Sequence, residues 1–467
     1  MIQENIVFHL FKTLKHSYLY DVNTNSIIEI NEKLFCDIKE FETNRIITDP
    51  ISQLRKKGYL LPRKNYEMRH PATDSIDILT ERNIQGIALQ VTQNCNLRCN
   101  YCVYSGSYQN RVHTNKRMNL DIAFRAIDFL LEHSINSENL GLGFYGGEPL
   151  LEFELIKKSI QYIKAKTNKE IMFTLTSNAT LLNFEIIEFF ARNNVYLTIS
   201  LDGPQEIHDK NRIKNISSQG SFNDVIKNIN LIVDKYPDYA KKVNFNAVVN
   251  TDDDFRKIND FFTKTERIKE FSTRINFQTL SNTSKKRKVS EKFIQEYNYE
   301  IFKYFMFKLG KAKKNETSKL FDLYFNQIKE FDERLKLCAK NVMQDHPSGP
   351  CIIGKQRLFV DVEGNLFPCE RVSETSPIMR IGNIFDGFNI NKIKYLMNVG
   401  KLTEEKCRKC WAFRLCNICA VKADNITSLS AQKKCESCPS VISNAEDLLL
   451  NYCMLKEFGY IFNYETE

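Results

Sequence analysis

The stretch IALQVTQNCNLRCNYCVYSG, residues 87–106, decides how this chain is read. It opens with Ile87 to Thr92, a short run of apolar and β-favouring residues that reads as a buried strand. The run leads directly into Cys95, Cys99 and Cys102, at CxxxCxxC spacing. Structural zinc takes four tetrahedral N or S ligands, usually from two paired CxxC units, and no fourth Cys or His lies close by. A four-iron cluster held by three thiolates, in contrast, keeps one iron open to a further ligand. A zinc knot, or three unrelated buried thiols, is the rival reading of the same residues.

Toward the C-terminus the alternation of strand and helix continues. The β-rich runs IALQVT, GLGFYGG, MFTLTSN, VYLTISLDG, VNFNAVV and RINFQTL are separated by amphipathic stretches such as LDIAFRAIDFLLEHS and NFEIIEFFARNN. This is the pattern of six parallel βα units, with Asn183 and Ser221 standing where helix N-caps belong. Six units are fewer than the eight of a closed barrel. The expected fold class is therefore α/β, with an open, partial (β/α)6 TIM-like barrel over residues 80–281.

Ligands of such folds sit at the carboxyl ends of the strands, and the polar motifs fall there. Gly146, Gly147, Glu148 and Pro149 follow the second strand, where glycine lets backbone approach a ligand and Glu148 can accept from an ammonium group. Ser177 and Asn178 end the third strand. Ser200, Leu201, Asp202, Gly203 and Pro204 close the fourth, followed by His208, Asp209 and Arg212, whose guanidinium fork suits a carboxylate. Each has a plainer alternative: a Gly-Gly turn, a β-to-α turn, and a loop-structuring role for Asp202 and His208.

Before the barrel, residues 1–70 follow another pattern. Two strand-like runs, VFHLFKT and SYLYDV, precede a turn at Asn23 to Asn25, a third run IIEI, and helices near 31–41 and 50–57. A three-stranded sheet with helices ending near Pro62 is either a cap on the barrel or a peptide-recognition module that adds a strand to an open sheet edge. After Leu280, SNTSKKRKVS opens a helical linker over 282–337, with helices near 290–309 and 318–337. Residues 338–467 form the cysteine-rich remainder.

Composition narrows the class. A chain of 467 residues with 42% hydrophobic content buries more than one core. Its net charge of +9 is modest and is concentrated in part at Ser284 to Lys288, which reads as a solvated loop, so no nucleic-acid partner is expected. No apolar run reaches the roughly eighteen residues of a membrane span. The start, MIQENIVFHLFKTLKH, carries Glu4 and no apolar signal core, so the fourteen cysteines are expected to be reduced and the chain cytoplasmic. Cys36 and Cys453 read as buried spectators.

The CxxxCxxC spacing, with Tyr101 before the third cysteine, resembles the radical SAM superfamily. That resemblance implies a 4Fe-4S cluster on Cys95, Cys99 and Cys102 whose open iron chelates S-adenosylmethionine (SAM), so that one electron yields a 5′-deoxyadenosyl radical. It carries Gly146, Gly147 and Glu148 over to the motif that bonds the methionyl amino group. Ser177 and Asn178 match the position contacting the methionyl or ribose part, Ser200 and Arg212 the methionyl carboxylate, and Tyr101 joins the same cofactor site.

The C-terminal cysteines, Cys351, Cys369, Cys407, Cys410, Cys416, Cys419, Cys435 and Cys438, with Gly364 at the turn of RLFVDVEGNLFPC, resemble a SPASM domain, which holds two auxiliary 4Fe-4S clusters. By resemblance Cys407, Cys410 and Cys416 bind the outer cluster with Cys435 or Cys438. Cys351, Cys369 and Cys419 bind the inner one, closed by Cys338 or left open. Paired zinc ribbons are the alternative. Cys416 and Cys419 are separated by two residues where the family has three. Glu370 stands where sulfatase maturases carry an aspartate base.

The segment CVYSGSYQNRVHTNKRM from the third cysteine, the CWAFRLCNIC element and the N-terminal module together look most like maturases of cysteine-rich ribosomal peptides, which join a cysteine sulfur to carbon as a thioether. The implied partners are a precursor peptide with a leader and a one-electron reductant of flavodoxin or ferredoxin type. The alternatives are a formylglycine-generating sulfatase maturase and a non-catalytic iron-sulfur carrier or leader-binding scaffold.

Overall fold

Alternation of side chains across a strand explains the N-terminal part. In the computed structural model, which describes residues 6–63, 67–105, 111–278, 289–336, 344–347, 349–355 and 357–462, strands β1 (Phe8–Lys12), β2 (Ser17–Asp21) and β3 (Ser26–Ile30) form an antiparallel sheet in that order. Phe8, Leu19 and Ile30 point toward the helices Glu32–Asn44 and Asp49–Lys56, forming a small core with Ile38, Phe41, Ile51 and Leu60. Phe11, Tyr18 and Tyr20, one pleat out of phase, join the main core instead. Every residue of β2 is buried because both faces of this sheet are covered. The first helix is capped by Asn31, whose side chain accepts from the Leu34 amide.

The six expected barrel strands are all present: β5 (Gly86–Thr92), β6 (Asn139–Gly146), β7 (Glu170–Ser177), β8 (Tyr196–Ser200), β9 (Val243–Val249) and β10 (Ser272–Phe277). They pair in parallel and in chain order, so each crossover helix lies against its own neighbours. Asn183 caps Phe184–Asn193 as expected, accepting from the Ile186 amide. Ser221 stands at the start of Phe222–Lys235, but its hydroxyl makes no cap bond. Strand interiors such as Leu89, Leu142, Leu175, Leu197 and Phe245 are buried, each side chain contributing roughly 1.5–3 kcal/mol.

The sheet does not stop at β5. Strand β12 (Phe359–Val360) pairs in parallel with β5, placing Phe359 opposite Ala88, and β13 (Asn365–Phe367) returns antiparallel. Gly364 makes that turn at φ +84°, a conformation only glycine adopts cheaply. Strands β14 (Gly382–Asn383) and β15 (Gly387–Phe388) extend the same ten-stranded sheet. A further clasp joins β4 (Glu67–Met68) to β11 (Gln344–Asp345), in parallel. The cysteine-rich remainder is thus built onto the open side of the barrel sheet. Helices Glu291–Lys308 and Asp322–Lys336 bear out the two helices expected after the linker, whose residues 279–288 lie outside the described set, as does Cys338.

Among the described residues no helix is long and apolar enough to cross a membrane. All thirteen described cysteines are free thiols. Cys453 is buried as expected, whereas Cys36 is exposed, because it falls on the solvent side of an amphipathic helix whose inward positions are Ile38 and Phe41.

Candidate active site

Cys95, Cys99 and Cys102 lie on the loop leaving the carboxyl end of β5. Burial is the main influence on all three thiols. It pushes Cys95 and Cys99 up to about 12, with the Glu148 charge and the neighbouring cysteines adding to the shift at Cys95. Such thiols ionise only when an electropositive centre binds them. Among the described residues no three His, Cys, Asp or Glu side chains are grouped to hold a metal ion. A single zinc would draw its thiolates to about 3.8 Å from one another, by its Zn–S distance of about 2.3 Å. A four-iron cube held by three thiolates spreads its ligands across different irons and keeps the fourth iron open.

The glycine pair packs directly against this loop. A Cβ on Gly146 would stand 2.0 Å from the Thr92 carbonyl oxygen, and one on Gly147 2.0 Å from that of Asn94. The Gly147 amide donates to Thr92 O and the Glu148 amide to Asn94 O, each at 2.9 Å. Glycine is required because the two backbones touch, and the contact delivers Glu148 beside the cysteines.

Glu148 is 1% exposed. It accepts from the Leu150 amide at 3.1 Å, from Ser177 Oγ at 2.7 Å and from the Asn178 amide at 2.7 Å. Ser177 and Asn178 therefore orient Glu148. Asn178 also donates to Asn96 Oδ1 at 2.9 Å, tying the end of β7 to the cysteine loop. Burial pushes the Glu148 carboxyl up, and these donors oppose the shift. A carboxylate offers about four acceptor sites, so one is left after three donors. Among the described residues no cationic side chain is in ion-pair contact with Glu148, although the nearby Arg212 charge also opposes the shift, and the remaining acceptor site is what an incoming ammonium group would complete.

Arg212 is not free in the way its sequence position suggests. Its Nε and Nη2 donate to Asp202 at 2.9 and 3.1 Å, with the two side chains 6% and 0% exposed. Asp202 also accepts from the Tyr101 hydroxyl and, at 3.0 Å, from the Val248 amide. Tyr101 lies against the guanidinium, 5.4 Å from ring centroid to Cζ. Asp202 is thus the hub that positions both Tyr101 and Arg212, leaving Arg212 with donors not used by Asp202. Ser200 ends β8 two residues away, 9% exposed.

His208 bears out the loop-structuring alternative. It is fully buried, its Nδ1 accepts from the Asp202 amide at 3.4 Å, and its Nε2 donates to Ser221 Oγ at 3.0 Å. Ser221 Oγ passes its own hydrogen to the Arg212 carbonyl, which is why it caps nothing. Burial, and then the Arg212 charge, push His208 down to about 4. The unfolded chain takes up this proton first as pH falls, so stability should decline from about pH 6.5 to about pH 4, by roughly 3 kcal/mol, and no further below. Chemical denaturation across that range, compared with His208→Gln, checks this: the variant should lose that share of the slope.

The C-terminal thiols fall into two neighbourhoods. Burial pushes Cys369 up to about 11, with Glu370, Cys419 and Cys351 adding repulsion. Burial does the same for Cys416, to about 11, with Cys407 and Cys410 nearby. Cys438 lies near both Cys435 and Cys407, so either can complete the second group. Glu370 accepts from Arg357 Nη1 at 2.7 Å.

A buried cluster absent from the sequence reading joins the two halves. Glu374 accepts from the Tyr104 hydroxyl at 2.9 Å, from Gln90 Nε2 at 2.7 Å and from Arg111 Nε. Arg111 Nη2 donates to the Glu370 carbonyl at 3.2 Å. Tyr104 is two residues past Cys102, and Glu374 five past Cys369. The mouth of the barrel and the auxiliary cysteine segment are therefore one polar network. Arg111 lies in the segment that follows the third cysteine, but its pairing with Glu374, a lone carboxylate 263 residues away, gave no signal in sequence.

Residues 89–262 match the Radical SAM superfamily. The chain is 27% identical over 351 residues to a cysteine-type anaerobic sulfatase-maturating enzyme of Clostridium novyi (strain NT), across 70% of this chain and 84% of that one. It is 26% identical over 265 residues to the radical SAM cyclopropyl synthase TigE of Paramaledivibacter caminithermalis, across 52% and 54%. The solved structure of native anSMEcpe with bound AdoMet shares the fold, with a TM-score of 0.57 at 22% identity, over 78% of this chain and 100% of that one. With its cysteine loop, glycine-glutamate turn and parallel sheet in these positions, the chain carries a radical SAM domain over residues 89–262 and is an enzyme.

Proposed function

We propose that this enzyme cleaves SAM reductively and installs thioether links, cysteine sulfur to carbon, in a ribosomally made, cysteine-rich peptide. Cys95, Cys99 and Cys102 would hold the SAM-binding 4Fe-4S cluster, which supplies the electron that yields methionine and the 5′-deoxyadenosyl radical. Glu148, held by Ser177 and Asn178, receives the methionyl ammonium at its remaining acceptor site. Arg212, steadied by Asp202 and Tyr101, turns its other donors to the carboxylate near Ser200. Cys351, Cys369 and Cys419, with Cys338, and Cys407, Cys410 and Cys416, with Cys435 or Cys438, would hold two auxiliary clusters.

One observation supports peptide-thiol chemistry above the others: Glu370, beside Cys369, is carried on a segment braced to Tyr104 at the mouth of the barrel through Arg111 and Glu374. A carboxylate there can take the proton of a substrate thiol. Strands β1 and β3 are edges of their sheet, and an edge suits a leader peptide that adds a strand. The electron donor would be a flavodoxin or ferredoxin.

Formylglycine formation on a sulfatase is the second reading, favoured by the similarity to the Clostridium novyi maturase. Anaerobic incubation with SAM, dithionite and a cysteine-rich precursor peptide, and in parallel with a sulfatase-derived peptide, separates the two. The first reading expects a peptide lighter by a pair of hydrogens per link, with the joined thiol no longer alkylated. An aldehyde trapped by hydrazide on the sulfatase peptide alone would replace it with the second. Absence of methionine and 5′-deoxyadenosine in both would leave only a carrier or scaffold.

A further inference from the structure

Lys434 is a buried cation without an acid. It is 2% exposed, on the short helix Ala431–Glu436, and no carboxylate pairs with it among the described residues. Its Nζ donates to Thr403 Oγ1 and, at 3.4 Å, to Cys407 Sγ. Thr403 Oγ1 lies 3.3 Å from the same sulfur. Because Thr403 accepts from the ammonium, its own hydrogen is free to point at Cys407. One sulfur therefore faces two donors, one of them charged.

A buried ammonium costs several kcal/mol unless an anion compensates it, and a neutral thiol does not. A cluster bound through Cys407, with its net negative charge, would supply that compensation. Cys416 and Cys438 lie within reach of the same positive charge. Hydrogen bonds to cluster sulfurs and the local net charge are among the levers that set an iron-sulfur potential. Reduction adds one electron and one unit of negative charge, so a fixed cation beside the sulfur favours the reduced state.

We propose that Lys434, seconded by Thr403, sets the reduction potential of the outer auxiliary cluster, holding it higher than the cysteines alone would. This rests on reading Cys407, Cys410 and Cys416 as ligands of that cluster. Lys434 is a positioning residue, acting through Cys407 and touching no substrate.

The test is potentiometric titration of the reconstituted full-length enzyme with dithionite, followed by electron paramagnetic resonance. The doubly substituted Cys407→Ala, Cys410→Ala enzyme identifies the outer cluster by what disappears. Lys434→Met should lower the reduction equilibrium of that cluster at least tenfold, about 59 mV for one electron, while the SAM-binding cluster stays where it was. Thr403→Val should shift it the same way by less, and Lys434→Arg should stay close to the parent. Should Lys434→Met lose this cluster's iron, the Thr403→Val enzyme decides: a lowered potential supports the proposal and an unmoved one overturns it. An unmoved potential in Lys434→Met, or a Lys434→Arg enzyme that fails as Lys434→Met does, overturns it. Should the doubly substituted enzyme keep all the parent's iron, the ligand reading itself falls, whatever Lys434 does.

Discussion

Replacing Cys99 by alanine is expected to abolish SAM cleavage while leaving the iron of the C-terminal cysteines in place. Three thiolates are the minimum that holds a four-iron cluster with one open corner, and removing one leaves no stable cluster to deliver the electron. The sulfur of Cys99 is not part of the core that holds the strands together: the loop is fixed by Gly147 and Glu148 amides on Thr92 and Asn94 carbonyls, and by Asn178 on Asn96. The fold should therefore survive. Iron should fall by about one cluster's worth, and methionine and 5′-deoxyadenosine should drop to the level without enzyme. Glu148→Gln makes a graded companion. It keeps the shape but removes the charge, and losing a charge-assisted hydrogen bond of roughly 1.5–3 kcal/mol should weaken SAM binding about 10- to 100-fold. Retained cleavage in Cys99→Ala would defeat the assignment of the cysteine loop.

What could be read in the sequence was whatever depends on local pattern. The six parallel strands showed themselves because each is a short apolar run at the end of an amphipathic helix, and the Asn183 cap and the Gly364 turn because backbone geometry restricts which residues serve there. Interactions between distant segments were not legible. Asp202 looked like a turn residue, yet it holds Arg212 and Tyr101, because the end of β8 folds back over the cysteine loop. Gly146 and Gly147 read as a place where backbone comes close, but that Thr92 and Asn94 of the cysteine loop are what approaches them could not be read. The hairpin 357–369 was expected, whereas its pairing with β5, which makes the C-terminal cysteines continuous with the barrel sheet, depends on an edge hydrogen-bond register that no residue type announces.

That continuity gives the second large effect. Arg111 and Glu374 are 7% and 5% exposed and pair with each other across the junction, with Tyr104 and Gln90 on the same carboxylate. Removing one member leaves the other buried and charged without a partner, which costs about 3–5 kcal/mol. Glu374→Ala should accordingly lower unfolding stability by that amount and release the Tyr104 hydroxyl and the Glu370 segment from one another. An apolar pair, Arg111→Leu with Glu374→Leu, removes both charges together, and most of the stability should return, because a buried ion pair is often no stronger than the hydrophobic contact that replaces it. If the network serves only the fold, the double variant should also modify peptide like the parent. If it sets the distance between the radical site and the Cys369–Glu370 segment, the double variant should be stable, cleave SAM at the parental rate, and yield fewer modified peptides per 5′-deoxyadenosine. Near-attack geometry tolerates little displacement, so a shift of about 1 Å is enough to lower that ratio roughly 100-fold. Denaturation and product counting on the same preparations separate stability from coupling, and a double variant with parental coupling would reduce this network to a brace.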